Sequence, residues 1–303
     1  MSVIFPELDL IPNGSRQIYR ERSDIAFVGT PVDERGRYSV ELAKANADRT
    51  VHCRYDHLGF SFHLGDDVVR IDELADYADD IAVRRILIDA TTLDFPELLL
   101  LSRTYLHDTD LGYLYIEPTE YSELIGPAYP RTFELSTRFQ AFQAIPGFSP
   151  ELHAERHAYL AACIGFESTR LRRLLAEDEG HFIDRLGMVF GVPPYQVSWE
   201  MQSLLHHADV IEEQGPQTDI LFAAANNPRS TFECLQTLYR ALPHDGSQLL
   251  MLGAFGSKPT SIATALFACT HRDTRVVYDF PTQKHDRTRG VGPVHYFMAR
   301  VTA

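Results

Sequence analysis

LLMLGAFGSKPTSIATALFA, residues 249–268, joins an apolar run typical of a buried strand to a glycine-rich loop and then to an apolar run of helical length. RILIDATTLDFPELLLL, residues 85–101, has the same order in the first half of the chain. Buried strands that alternate with helices favour a mostly parallel sheet with helices on both faces. Both stretches therefore predict an α/β protein of Rossmann-like layout.

The same alternation extends outward from these two stretches. Further strands are predicted at Ile25–Gly29, Val51–Tyr55, Phe60–Leu64, Leu111–Ile116, Leu186–Val192, Ile220–Ala225, Arg275–Tyr278 and Val294–Val301. Further helices are predicted at Tyr38–Ala47, Ile71–Ile81, Glu151–Glu177, Leu204–Ile211 and Ser230–Leu242.

The length of 303 residues favours two domains. Between Pro118 and Pro150 the periodicity is lost and turn residues such as Gly126-Pro127 and Pro146-Gly147 appear. We therefore predict two Rossmann-like lobes with mostly parallel sheets, at residues 1–145 and 146–303, the second with leading helices. Their similar layout suggests a duplicated unit.

The composition is that of an ordinary globular protein, with 45% hydrophobic and 23% charged residues. Lys and Arg number 28 against 42 Asp and Glu, which gives a net charge of −14 and repels polyanions. We expect no extended nucleic-acid surface and no membrane partner, although screening over about 10 Å permits a local site for a small anion.

The first residues of the chain, MSVIFPELDL, do not resemble a signal peptide, and no run approaches the ~18 apolar residues of a membrane span. Four widely spaced cysteines form no Cys-x-x-Cys pair, and we expect them to be reduced and buried. These features predict a cytoplasmic protein.

The loop Gly253–Pro259 is the first candidate site, because ligands of open parallel sheets bind where strands lead into helices. Gly256 allows a tight turn, Ser257 offers a hydroxyl, Lys258 offers a cation, and the next helix presents backbone N–H groups to an anion. The GxxxxGK[ST] order of a P-loop is absent. The alternative is a glycine-rich turn with a solvated lysine.

Three other strand-to-helix loops carry polar residues. Asp89 and Thr91 follow a predicted strand, and an acid there needs a partner, a helix N-terminus or a ligand hydroxyl, whereas Asp94 fits a helix N-cap. Asn227 offers an amide to a base or sugar, and Ser230 is predicted to cap the following helix. The loop Gly29–Gly36 lacks the GxGxxG order, and either contacts a phosphate through Thr30 and Arg35 or is a plain surface loop.

The segment from Arg272 to Gly290 is locally basic in an acidic chain. Arg287 and Arg289 would form a bidentate donor pair for a phosphate. The alternative is an exposed charged hairpin loop.

Catalytic and metal signals are weak. Glu167 and Asp279 are the acid/base candidates if the protein is an enzyme, although Glu167 and Arg170 have the spacing of a helix ion pair. His153 and His157 stand four residues apart without the HExxH pattern or a third ligand. We predict no metal site and no cofactor.

GAFGSKPTSIATALFA resembles the TGGTKPM-type strand–loop–helix of CARF domains, and IDATTLDFPELLLL resembles their DxTxG segment. SAVED domains are similar to two fused CARF-like units. The resemblance implies a Rossmann-like sensor of cyclic oligonucleotides from a CRISPR or antiphage defence system, and it nominates Gly256, Ser257, Lys258, Asp89 and Thr91 as ligand contacts. Ala254-Phe255 replace a threonine and a glycine of the pattern, and no glycine follows Asp89-Ala-Thr-Thr92.

Three functions follow from these observations. The first is a sensor or binding subunit for a small nucleotide-derived anion, with a protein partner that carries the effector activity. The second is an enzyme, either a hydrolase or a messenger-cleaving nuclease, that acts on a nucleotide or phosphosugar. The third is an interaction subunit of a larger complex, with Phe255, Trp199 and Tyr195 as anchors.

Overall fold

The structure is a computed structural model of the chain. It describes residues 2–12, 14–15, 17–18, 22–79, 83–107, 109–121, 133, 135–150, 157–243 and 247–302.

The chain alternates strands and helices along most of its length. The first part contains β1 (Ser2–Ile11), β2 (Ser23–Val28), α1 (Glu34–Ala45), β3 (Ala47–Asp56), β4 (Ser61–Leu64), β5 (Asp67–Arg70), α2 (Leu74–Asp79), β6 (Arg85–Asp89), α3 (Phe95–Tyr105) and β7 (Asp110–Tyr121). The second part contains β8 (Ser136–Arg138), β9 (Gln143–Ala144), β10 (His157–Cys163), α4 (Ser168–Asp178), β11 (Ile183–Gly191), α5 (Trp199–His206), α6 (Ala208–Gln214), β12 (Thr218–Ala223), α7 (Pro228–Ala241), β13 (Gln248–Ala254), α8 (Lys258–Thr270), β14 (Arg275–Tyr278) and β15 (Thr282–Gln283). The last strand is β16 (Thr288–Thr302).

These elements divide into two compact units. Unit 1 comprises Met1–Ser122 with Lys284–Ala303, and unit 2 comprises Glu123–Gln283. The sequence predicts a single boundary after residue 145, whereas in the structure β16 belongs to the sheet of unit 1, between β1 and β7. β16 pairs with β1 and β7, which are far from it in the sequence, and no local sequence pattern predicts such a contact.

Unit 1 is built on a sheet with the strand order β1-β16-β7-β6-β2-β3-β4-β5 among its described residues. The central strands β7, β6, β2 and β3 run parallel, and the flanking strands are antiparallel. α1 packs on one face through Val40 and Ala43. α3 lies on the other face, where the Ser102 hydroxyl is 2.7 Å from that of Tyr113.

Unit 2 contains the sheet β12-β11-β10-β13-β14-β9, which is parallel except at β9. α4 and α6 pack on one face of this sheet, with Leu171 and Val210 in the same apolar cluster as Phe190. α7 packs on the other face, where Cys234 meets Cys163. Helices therefore cover both faces, as in Rossmann-like folds.

The predicted α/β class with Rossmann-like layout is confirmed. A duplication is not shown, and the two parallel cores differ in strand order. Counting only their parallel strands along the chain, unit 1 has the order 2-1-3-4, whereas unit 2 has the order 3-2-1-4-5.

Among the elements that differ from the sequence prediction are β1 and β10. β1 was not predicted, and its Pro6 lies where the register of this edge strand shifts, a place that tolerates a missing N–H. The block Glu151–Glu177 was predicted to be helical, whereas residues 157–163 form the buried strand β10 before α4 begins. A continuous apolar run such as HAYLAAC fits a buried strand and a buried helix equally well.

No helix in the described ranges combines the length and the apolar character needed to cross a membrane. The four cysteines are free thiols, three of them buried, and burial raises the pKa of Cys163 to about 12.

Candidate functional site

The strand order of unit 2 has a topological switch point between β10 and β13. From β10 the chain continues to β11 on one side and later returns to β13 on the other side. Loops that leave two neighbouring strands in opposite directions open a crevice at the carboxyl edge, where ligands of such sheets bind. The loop predicted to bind an anion, Gly253–Pro259, leaves β13 at this point.

Two glycines bring the backbones of the two loops together. A Cβ on Gly165 would lie 2.4 Å from the carbonyl oxygen of Phe255, and a Cβ on Gly256 would lie 3.2 Å from that of Ile164. The Phe255 N–H donates to the Cys163 carbonyl at 3.0 Å. Any side chain at Gly165 would therefore force the loops after β10 and β13 apart.

The amino end of α8 is held by its neighbours rather than by its own cap. Ser257 occupies the N-cap position, but its hydroxyl donates to the Ala225 carbonyl at 2.7 Å instead of accepting an N–H of α8. Lys258, half-buried, is the first residue of the helix. Glu167 at the amino end of α4 likewise makes no side-chain cap bond. Both helices that begin at the switch point thus lack a side-chain cap.

The loop of Asn227 lies beside the loop of Lys258, because the Ser257 bond reaches Ala225, two residues before Asn227. The Asn227 side-chain oxygen accepts the Arg229 N–H at 3.0 Å and caps α7. Ser230, predicted to be this cap, instead accepts the Ala224 N–H at 3.0 Å. The prediction for Ser230 was wrong because Pro228 starts the helix two residues earlier, a position that suits proline.

The two acid/base candidates have partners in the chain. Glu167 accepts the N–H groups of Leu135 and Ser136 at 3.0 and 2.9 Å and the Ser136 hydroxyl at 3.0 Å. Asp279 is fully buried and accepts a bidentate pair of bonds from Arg170.

The Arg170–Asp279 pair packs against Phe255 in the loop after β13. The Arg170 guanidinium lies 4.9 Å from the ring centre of Phe255 and 5.3 Å from that of Tyr278. Burial alone lowers the pKa of Arg170, but the bonds and charge of Asp279 more than offset it, and the net shift is upward. This arginine therefore stays charged and holds Phe255 in place.

Asp89 lies in unit 1, where its partners are internal. Its carboxylate accepts the hydroxyls of Ser39 and Thr92 at 2.6 Å each and the Thr91 N–H at 3.0 Å. Burial raises the pKa of Asp89 although these bonds lower it. Thr91 also accepts the Ile116 N–H at 3.0 Å, so the network joins α1, β6 and β7.

At the corresponding switch point of unit 1, between β2 and β6, the two loops are also in close contact. The Gly29 N–H donates to the Thr92 hydroxyl at 2.8 Å, and a Cβ on Gly29 would lie 2.4 Å from the Thr92 carbonyl oxygen. Asp33 caps α1 through the Gly36 N–H. Arg35, for which the sequence left open a phosphate contact or a plain surface loop, is buried and donates to the Ile116 carbonyl at 2.9 Å.

Arg287 and Arg289 flank Thr288 at the start of β16, also in unit 1. Thr288 is buried and donates its hydroxyl to Asp33. Arg289 is exposed and lies opposite Glu120 in the strand register, whereas Arg287 is half-buried. The eight predicted contacts thus fall into two sets, with Gly256, Ser257, Lys258 and Asn227 in unit 2 and Asp89, Thr91, Arg287 and Arg289 in unit 1.

Sequence analysis missed a buried acid–base pair in unit 1. His295 Nε2 lies 2.6 Å from Glu117 Oε1, and the His295 ring stacks between those of Tyr115 and Phe297. Tyr115 and His295 are register partners on β7 and β16. The sequence signal is a polar residue beside the apolar run of each strand, Glu117 in β7 and His295 in β16, and it does not say that the strands are neighbours.

The weak metal signal gains no support from the described ranges, which contain no group of three His, Cys, Asp or Glu able to hold a metal ion. His157 is the first residue of strand β10, and His153 lies outside the described residues.

Comparison with known proteins adds no family assignment. No protein-family model matches the chain, and no curated protein sequence matches it significantly.

Proposed function

We propose that the protein binds a small nucleotide-derived anion of the cyclic oligonucleotide type at the switch point of unit 2, and that it acts in the cytoplasm as a sensor or binding subunit of a defence system. The observation that carries this proposal is the strand order 3-2-1-4-5, with a lysine-bearing loop at its switch point. The resemblance of this loop to CARF domains suggests the ligand class.

The physical chemistry of the loop suits a phosphate. Gly165 and Gly256 let the backbones of the loops after β10 and β13 approach each other closely. The amino ends of α4 and α8 carry partial positive charge, and at neither end does the N-cap side chain accept an N–H group of its helix. Lys258 adds a full charge, and Asn227 stands in the neighbouring loop to contact a base or ribose.

Unit 2 is a better location for the ligand than unit 1. At the unit 1 switch point the Gly29 N–H is bonded to Thr92, and α1 is capped by Asp33. Asp89 and Thr91 are engaged in the same internal network. We therefore assign these two residues a structural role within the proposal.

Isothermal titration with cyclic oligoadenylates and cyclic dinucleotides tests the proposal. Lys258→Ala should weaken binding about tenfold, which corresponds to one lost charge-assisted contact of ~1.4 kcal/mol. Lys44→Ala is the matched control, because Lys44 lies on α1 of unit 1 and pairs with Glu41. Equal binding by wild type and Lys258→Ala, or no binding of any ligand in the panel, would refute the proposed site.

The enzyme alternative receives less support from the geometry, because Glu167 and Asp279 already accept bonds from the chain. Incubation with nucleotides and phosphosugars followed by mass spectrometry separates the two functions. A converted substrate would favour the enzyme, and unchanged substrates would favour a sensor that acts through an effector partner.

A further inference from the structure

Strand β12 forms an edge of the unit 2 sheet, and two large apolar side chains on it are exposed. Ile220 is 37% exposed and Phe222 is 56% exposed. They pair in register with Met188 and Phe190 of β11, and so they project from the face that α4 and α6 cover over β11. That helical layer leaves these two side chains of the edge strand uncovered.

The backbone N–H and C=O groups of Ile220 and Phe222 point away from β11, towards the open edge of the sheet. The Val192 N–H donates to the Ala223 carbonyl at 2.8 Å, so Ala223 faces β11. Because backbone groups alternate along a strand, Leu221 also faces β11, whereas Ile220 and Phe222 face away from it. Ala224 also faces away from β11, but its N–H donates to the Ser230 hydroxyl and its carbonyl accepts the Asn227 N–H. Within the described residues β12 pairs with β11 alone.

We infer that β12 pairs antiparallel with β12 of a second copy of this chain, about a two-fold axis at Leu221. In this register Ile220 of each copy lies opposite Phe222 of the other, and the pair exchanges both N–H···O bonds. Their side chains lie on the same face, so the apolar pair is buried as the backbone groups are satisfied. One symmetric contact thus covers the exposed apolar side chains of this edge strand and also pairs its outward-facing backbone groups.

The charges near β12 fit a second copy. Asp219 lies opposite Ala223 in this register rather than opposite another acid, and it already accepts bonds from Arg185 and Tyr159 at 2.9 and 2.8 Å. The exposed Glu212 and Glu213 precede β12, and the exposed Arg229 follows it. The two-fold axis brings the start of one strand to the end of the other, so the acids of one copy lie at the same end of the paired strands as the arginine of the other.

Sedimentation equilibrium of the full chain over a range of concentrations tests the inference. We expect a species of twice the 34.4 kDa chain mass. Ile220→Lys and Phe222→Lys should each raise the dimer dissociation constant on the order of a hundredfold, as expected for a hot-spot residue. Leu10→Lys is the matched control, because Leu10 is 63% exposed on β1, the edge strand of unit 1. A monomeric wild type, or a dimer that survives both β12 substitutions, overturns the inference.

A disulfide cross-link between the two copies tests the proposed register. It also tests the dimer itself if the lysine variants fail to fold. Leu221 would meet its own copy with Cα atoms about 4.5 Å apart, within the range of a disulfide. Leu221→Cys in a Cys234→Ser background, which removes the half-buried thiol of the same apolar cluster, should form a covalent dimer on mild oxidation. The Cys234→Ser parent should not, and the lack of a cross-linked dimer from Leu221→Cys would overturn the inference.

Discussion

His207 shows how burial of one side chain sets a pH dependence for the whole fold. The residue is 1% exposed, its ring packs edge-on against Phe190, and its Nδ1 lies 2.8 Å from the Ser203 carbonyl oxygen. Burial lowers the pKa of His207 to about 4 from its usual 6.5. The unfolded chain therefore takes up a proton at this position at a higher pH than the folded chain does.

We expect His207 to destabilise the protein as the pH falls from 6.5 towards 4, by up to ~3 kcal/mol at the lower end, and to contribute nothing above this window. His207→Phe keeps the aromatic contact and should flatten this part of the stability profile, measured by urea unfolding. His181→Phe is the control, because the His181 side chain is 81% exposed and meets water in both states. Identical profiles for wild type and His207→Phe would contradict the expectation.

Asp89 marks the limit of sequence reasoning about single residues. The sequence analysis predicted that an acid at the end of a buried strand needs a partner, and the structure supplies Ser39 and Thr92. Ser39 lies 50 positions away on α1, a distance that local patterns do not encode. The need for a partner was thus visible in the sequence, but its identity was not.

At the scale of elements, the close approach of the loops after β10 and β13 depends on Gly165. We expect Gly165→Ala to cost about 2–3 kcal/mol, because its Cβ would lie 2.4 Å from the Phe255 carbonyl oxygen and the backbone must shift. Gly180→Ala is the control. Gly180 has open space around it but a φ of +71°, so only the left-handed conformation is penalised, by about 1 kcal/mol. Equal losses in urea unfolding would show that the close approach is dispensable.

The elements that the sequence predicted best are those with a strong local pattern. β6 and α3 follow each other within 85–105 as the apolar runs indicated, and β13 and α8 do the same. β10 was predicted to be helical because its buried run has no period of its own. The carboxyl-edge position of Lys258 was predictable, whereas the bond between Thr92 and Gly29, which lie 63 positions apart, was not.

At the scale of the whole molecule, unit 2 is an insertion into a β-hairpin of unit 1. β7 ends at Tyr121 and β16 begins at Thr288, and these two residues are register partners. The chain therefore leaves unit 1 and returns to it at adjacent positions.

Replacement of residues 122–287 by Asn-Gly should give a folded unit 1, because a two-residue turn joins such partners directly. The fragment 1–145 should not fold, since it lacks β16, the strand that lies between β1 and β7. Near-UV circular dichroism and cooperative urea unfolding distinguish the two outcomes. A cooperatively folded fragment 1–145 would mean that β16 is peripheral to unit 1.

The position of β16 in the sequence also determines when the sheet of unit 1 can be completed during translation. Every residue of unit 2 leaves the exit tunnel before Thr288, so unit 2 has all its strands while the unit 1 sheet still lacks the one between β1 and β7. Domains fold largely as units during synthesis. β1, which is translated before unit 2, must therefore wait for β16, which is translated after it, and the unit 1 sheet keeps an open strand edge while unit 2 is synthesised.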